Sequence, residues 1–383
     1  MRDGKMRAKL EDFLQEVCEK TITNNQYPVL TSSKSGLFLQ SDYFNKQVAS
    51  KDNTGYKIIR RGQFTYRAMS DTGKFFPNML ECADVGIVSP AYPVFEIIKQ
   101  DQIVPEYLNY YFKSNRFQNS ISTFAQGSTR TSVKFGKLKK VSIELPEIKK
   151  QYQIIRTLDL LRTIINNRKK EVLELDELIR ARFVEMFESQ AWERVRAGTI
   201  MLNMRNGVSP SNIGTYPAKV LTLSAITQGG FNPDSWKDGM FDVDPPLEKR
   251  VTASDFYMCR GNGNKKLVGV GVYSKEDRYD LIFPDTAIAA TIDLHRICLP
   301  YLFYAWQQPF VRKQIEAGAR TTNGTYKINQ GVVSNIELAL PPLKLQKQFA
   351  AFVAAIDKSK ATVQKALDET QLLFDSLMQQ YFG

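Results

Sequence analysis

Histidine is almost missing from this chain: one residue, His295, stands among 383. Cysteine is nearly as scarce, with four residues (Cys18, Cys82, Cys259, Cys298) and no C-x-x-C pair among them. That scarcity excludes a zinc site of clustered Cys and His, and the thiols are too few and too scattered for a disulfide framework. Reduced, mostly buried thiols are expected. No apolar run approaches the ~20 residues a membrane helix needs, and the opening "MRDGKMRAKLEDF" lacks a signal-peptide core. The expectation is a cytoplasmic protein with no membrane partner.

Catalytic motifs are missing as well. His295 lies within "TIDLHRICLP" without a G-x-S-x-G elbow anywhere, and reads as a structural residue at a strand–helix junction. "DPPL" at 244–247 is faintly similar to the Asp-Pro-Pro-aromatic motif of amino-methyltransferases. Leu247 replaces the aromatic that would stack on a target base, and no glycine-rich cofactor loop accompanies it. No G-K-[ST] completes a phosphate loop around Gly261, Gly263, Gly269 and Gly271. No Asp/Glu-x-Lys follows Asp234 or Asp285 to complete a nuclease pattern. Neither a catalytic nor a metal site is expected.

What is present is ordinary globular material: 43% hydrophobic and 24% charged residues, with length enough for two domains. The net charge is +12 and unevenly spread. Residues 1–144 hold 21 Lys/Arg against 14 Asp/Glu, and 189–339 hold 17 against 14, whereas 145–188 and 340–383 are nearly balanced. A basic excess of this kind suits a polyanion such as DNA, although solvated surfaces are often basic too.

The near-neutral segments are copies. "LPEIKKQYQI" starts at Leu145 and "LPPLKLQKQF" at Leu340, and each copy ends in a Phe, Phe187 and Phe382, at the same distance from its Leu-Pro. In the first copy Ile154, Leu158, Leu161, Ile165, Val172, Leu175 and Leu178 follow a 4-3 alternation, with Arg168 in one seam place. In the second, Phe349, Phe352, Ile356, Val363, Ala366, Leu373 and Leu377 do so, interrupted by Ser359 and Thr370. Pro146 and Pro341 suit a first-turn position. About 41 residues of helix extend roughly 60 Å, and a lone amphipathic helix of that length needs a partner in water. The other copy is the nearest candidate, lying antiparallel, and the competing reading is that each helix only caps its own domain.

Before each copy come short β-like runs broken by Gly and Pro: 56–66, 84–98, 139–146, 217–226, 251–260, 266–274 and 332–341. A helical stretch (105–122; 300–317) precedes a polar loop, "QGSTRTSVKFGK" (126–137) or "GARTTNGTYKIN" (318–329). The expected fold is therefore α+β. Two small β-rich modules (1–144 and 189–339) are separated by two long antiparallel helices (145–188 and 340–383) in a pseudo-twofold repeat.

The two loops combine Arg with short hydroxyl and amide side chains, which suits guanine edges and phosphates. In the first, Ser128, Thr129, Arg130, Thr131 and Lys134 are candidates, with Arg60, Arg61, Arg67 and Lys74 adding charge in the same module. In the second, Arg320, Thr321, Thr322, Asn323 and Lys327 are joined by Arg260, Asn262, Asn264 and Lys265 of "CRGNGNKK". A solvated turn is the plainer reading of each, and recurrence at equivalent places favours binding.

These residues together resemble the specificity subunits of bacterial type I restriction–modification systems. The resemblance rests on the paired Leu-Pro-x4-Gln starts (Leu145, Pro146, Gln151; Leu340, Pro341, Gln346), on "LDELIRARFVEMF" (175–187), and on "VGIVSPAYPVFEI" (85–97) and "CRGNGNKKLVGV" (259–270). It implies two target recognition domains that read the halves of a bipartite double-stranded DNA site, with the helices as a ruler. It also implies two modification subunits bringing S-adenosylmethionine for adenine methylation, and two restriction subunits working with ATP and Mg. No cofactor is then bound by this chain itself. A self-contained methyltransferase with degenerate motifs would differ by binding S-adenosylmethionine alone. A coiled-coil scaffold would differ by lacking salt-dependent DNA binding.

Overall fold

A computed structural model describes residues 6–43, 52–127, 130–188, 190–322 and 324–383. The chain divides into two compact units, residues 1–169 with 364–383, and residues 170–363. Each unit thus contains a globular module and parts of both long helices.

The first module opens with strand Met6–Lys9, which pairs antiparallel with Ser142–Leu145. A four-stranded sheet follows in the order Leu14–Val17, Val94–Ile97, Phe64–Thr65, Asn78–Met79. The second module repeats the plan. Arg194–Arg196 pairs with Glu337–Ala339. Its sheet runs Met201–Asn206, Ala287–Ile292, Asp255–Cys259, Gly271–Tyr273. A further sheet of Trp236–Phe241, Tyr216–Leu221, Arg278–Ile282 and Arg250–Val251 belongs to the second module. A buried ion pair braces the sheet of Met201–Asn206, Ala287–Ile292 and Asp255–Cys259: both Nη atoms of Arg205 donate to Asp255, which also accepts from Thr252 and Thr291 hydroxyls.

Both helical stretches are broken in two. In the first module Pro105–Tyr111 is followed by Asn115–Ser122, restarted by Ser114, whose hydroxyl accepts from Phe117 N–H. In the second, Leu299–Trp306 is followed by Pro309–Gly318, with proline in the first turn of each. The run 332–341, read as a strand, is a short helix (Gln330–Ser334) and then strand Glu337–Ala339. Asn329 caps that helix by accepting from Val332 N–H, so a local cap outweighs the β-branched valines.

The Leu-Pro-x4-Gln starts are joints. Helix Ile148–Phe187 begins two residues after Pro146, and Leu343–Phe382 two after Pro341, so neither proline sits in the first turn as expected. Both are buried where strand gives way to helix, as the restricted residue before a proline favours. Gln151 is fully buried, accepts from Val104 N–H at 2.9 Å and donates to the Gln102 and Pro146 carbonyls at 2.8 and 2.9 Å. Gln346 does the same with Cys298 N–H and the Arg296 and Pro341 carbonyls. Val104 and Cys298 precede the first turns of Pro105–Tyr111 and Leu299–Trp306, whose early N–H groups have no helical acceptor.

Both long helices have 40 residues and run antiparallel within each unit. In the first unit Ile154, Ile155 and Leu158 share a core with Phe382, Phe374 and Leu377, while Arg168 reaches the Ala366 carbonyl and the Thr370 hydroxyl. In the second, Ile179, Phe183 and Phe187 share a core with Phe349 and Val353, with Phe352 and Ile356 against it, and Lys360 pairs with Asp176. Of the expected seam, Leu161 and Ile165 are buried and Val172, Leu175 and Val363 half-buried. Leu178 and Leu373 are 47% and 50% exposed, and Ile179 and Phe374 take the packed places. A real helix turns every 3.6 residues, so a count advancing three where it should advance four drifts off the face. Thr370 lies within the seam, since its hydroxyl receives Arg168.

Of the thiols expected to be buried, Cys259 is and Cys298 partly is, whereas Cys18 and Cys82 are exposed because they follow a strand and lie in a loop. Burial pushes the Cys259 thiol up to about 11.

Replacing Gln151 or Gln346 by Leu leaves one buried N–H and two carbonyls unpaired. Each variant should lose ~1–3 kcal/mol in urea unfolding. A second expectation concerns acid. Hydrogen bonds from Arg116 and then Arg7 hold Glu144 at about 2, below its ordinary 4.5. A depressed folded-state value adds stability above pH 4.5 that is lost as pH falls from there through about 2. Glu144→Gln should therefore be less stable than the parent at pH 7 and equal to it near pH 2, as thermal melts across that range will read.

Candidate nucleic-acid interface

Backbone pairing gathers the basic loops into one ribbon per module. In the first, Thr131–Ser132 pairs with Met69–Ser70 in the register Thr131↔Ser70. Gln126 and Ser132 bridge back across the loop, and Thr131 Oγ1 donates to the Ser70 carbonyl at 3.1 Å. Gly127 has φ +116°, and a Cβ there would stand 2.2 Å from the Arg130 carbonyl, so glycine is required for this turn. One residue beyond the pair Thr131↔Ser70, Arg130 Nε meets Asp71 Oδ1 at 2.8 Å. Arg67 Nη2 approaches the other Asp71 oxygen at 3.9 Å. Lys74 and Lys134 are exposed and make no ion pair among the described residues. Ser128 and Thr129 lie outside the described residues.

Arg60 and Arg61 belong to a different ribbon, Lys57–Arg60 with Val85–Val88. Arg60 forks onto Glu19 and its pKa is raised by that hydrogen bond. Arg61 holds Asp84 at 2.8 Å and the Glu81 carbonyl at 2.6 Å. Both are engaged by their own chain.

In the second module, three strands meet: Gly261–Asn262, Thr325–Lys327 and Arg320–Thr322. "CRGNGNKK" and "GARTTNGTYKIN" are thus one surface, with Asn262↔Tyr326, Arg320↔Lys327, Thr321↔Tyr326 and Thr322↔Thr325 as neighbours. Residues directly opposite share a face, so Arg320 and Lys327 stand side by side, both exposed and without an ion-pair partner among the described residues. Thr321, Asn262 and Tyr326 share the other face, with Lys265 Nζ 5.9 Å from the Tyr326 ring. Asn262 accepts from Asn264 N–H and Asn264 from Lys266 N–H, which shapes the turn. Arg260 Nη1 donates to the Asp285 carbonyl. Asn323 lies outside the described residues.

Two contributors were not legible as such. Asp71 is an unremarkable acid in sequence, and only strand pairing brings it to Arg130. Arg312 donates to the carbonyls of Val268 and Lys266, and burial lowers its pKa, so it fixes the end of the 260–268 loop. Its place beside Val311 and three residues before Ile315, both core, was an available signal.

The residues weighed for catalysis are otherwise occupied. Asp244 of "DPPL" receives Arg250 Nη2 at 2.6 Å, while Arg250 Nε donates to the Pro245 carbonyl. His295 is exposed in the turn between strand Ala287–Ile292 and helix Leu299–Trp306. No metal-holding group of three His, Cys, Asp or Glu exists among the described residues, and none of their helices is long and apolar enough to cross a membrane.

Residues 11–175 match the family described as the type I restriction modification DNA specificity domain. Similar proteins include the type I restriction enzyme EcoKI specificity subunit of Escherichia coli strain K12, 22% identical over 71% of this chain. The StySPI specificity subunit of Salmonella potsdam is 20% identical over 72%. The chain is thus similar, over the first module and part of the long helix that follows it, to the type I DNA specificity domain. The matches span 63% and 64% of those two relatives, less than two thirds of either. A type I restriction–modification S subunit from M. genitalium shares the fold at TM-score 0.58 and 14% identity, over 100% of this chain and 97% of that one.

The ribbon of the second module places two like charges opposite each other, and their effect can be measured without DNA. Like charges directly opposite are unfavourable, so Lys327→Glu should raise the chain's stability by roughly 0.2–1 kcal/mol in thermal unfolding.

Proposed function

We propose that this chain is the DNA-recognition subunit of a type I restriction–modification system. It reads a bipartite double-stranded site, one half per module, and directs partner subunits to it. The repeat carries this reading: an arginine-bearing polar ribbon recurs after the same helices and before the same strand in both modules. The family supports it, since its members are specificity subunits.

Methyl transfer and cleavage then reside in partners: two modification subunits with S-adenosylmethionine and two restriction subunits with ATP and Mg, all in the cytoplasm. The chain binds no cofactor of its own. The contacts proposed in the first module are Arg67, Lys74, Ser128, Thr129, Arg130, Thr131 and Lys134. In the second they are Arg260, Asn262, Asn264, Lys265, Arg320, Thr321, Thr322, Asn323 and Lys327. Arg60 and Arg61 remain candidates once their acids are displaced. Exposed apolar residues on the long helices, among them Leu160 at 62%, Leu173 at 64% and Leu372 at 70%, suit docking of the modification subunits.

The test is a module exchange. With residues 189–339 replaced by those of a relative and the modification subunit co-expressed, the methylome should show one half-site changed and the other kept. Alteration of both halves would defeat the two-reader assignment.

A further inference from the structure

The two ribbons differ in one residue that changes what their arginines can do. In the first module Asp71 stands between Arg67 and Arg130, its two oxygens divided between them. In the second, Arg320 and Lys327 occupy opposite places with no carboxylate beside them among the described residues. We propose that Asp71 is a positioning and specificity-determining residue: it makes the first ribbon a reader of base edges, whereas the Arg320–Lys327 pair grips backbone phosphate. The assignment rests on the DNA-recognition reading above and says which cation does what within it.

The chemistry follows from which atoms are engaged. Asp71 meets Arg130 at Nε, and among the described residues no hydrogen bond engages its terminal Nη fork, which matches the O6 and N7 acceptors of guanine. The carboxylate also stands beside the place where a phosphate would neutralise the arginine and repels it. A base edge, being neutral, meets no such repulsion. A carboxylate is moreover an acceptor for the exocyclic amine of cytosine, which no phosphate offers.

The second ribbon has the opposite balance. Two cations held side by side by strand register repel each other until an anion arrives, and a phosphodiester backbone is the anion that spans both. Base reading in that module then falls to the neighbouring face, where Asn262, Thr321 and Tyr326 stand.

The experiment measures equilibrium binding of the full chain with its modification subunit. Three duplexes are compared across a salt series: the methylated motif's own sequence, and two versions with either half-site scrambled. Asp71→Asn should strengthen binding to all three. It should lower the preference for the first half-site by about tenfold or more, the range of one bidentate base contact, and leave the second preference unchanged. Asp71→Glu should restore most of that preference, which a purely structural role would not require. Arg320→Ala and Lys327→Ala should each weaken binding to all three duplexes alike and reduce the salt slope by about one.

The proposal is overturned if Asp71→Asn keeps its first half-site preference, or loses both preferences equally while melting like the parent. It is overturned equally if Arg320→Ala removes the second preference with an unchanged salt slope. A parent complex with no preference for its own motif would instead overturn the DNA-recognition reading, and the outcomes are thereby distinct.

Discussion

A glutamine side chain with no access to water holds each module onto its long helix. Gln151 and Gln346 are 0% exposed, and each satisfies one N–H and two carbonyls. Three segments meet at that amide: the end of the edge strand, the long helix, and the loop leading into Pro105–Tyr111 or Leu299–Trp306. Their mutual angle is fixed by hydrogen bonds, which are directional in a way apolar packing is not. Together with the apolar core beside it, this one group sets how each module is held on its own helix. No other side chain has the same donors and acceptor at that reach.

The packing around the joint is arranged across the repeat. Phe382, the last helical residue of the second copy, lies against Tyr107 and Tyr111 in the first unit. Phe187, the last of the first copy, lies against Tyr301 and Phe349 in the second. Each module therefore completes its core with the terminal turn of the other copy's helix. The polar seam residues fit this plan: Arg168 with Thr370 and Lys360 with Asp176 accept only one pairing of the two helices, where an all-leucine seam could slide.

Much of this could be read from residues alone, for reasons that differ by feature. The long helices announced themselves through period and length, and the duplicated Leu-Pro-x4-Gln marked the joints because a buried amide tolerates no substitute. The modules were legible only as β-rich, since strands as short as Phe64–Thr65 carry too few residues to show an alternation. Breaks within the helical stretches were missed at Ser114, where a capping hydroxyl does the work, although Pro309 was in plain view. Leu178 and Leu373 were misplaced because a heptad count does not follow a helix that turns every 3.6 residues. The ribbons' composition was visible, but their pairing was not. Asp71 meets Arg130 through a register set some 60 residues away, and no local pattern encodes that.

The exchange of terminal turns has a consequence for the order in which the protein can be made. A ribosome releases the chain from its N-terminus, and domains ordinarily fold as they emerge. Here the second unit, residues 170–363, is entirely released before the first can be finished, because the first lacks residues 364–383 until those too have been made. The module translated first waits longest. Its aromatic core of Tyr107, Tyr111 and Phe117 stands without Phe382 through the whole of that interval. A nascent chain stalled short of Phe374 would carry a finished second unit and an open first one, a species that exposes apolar surface to chaperones.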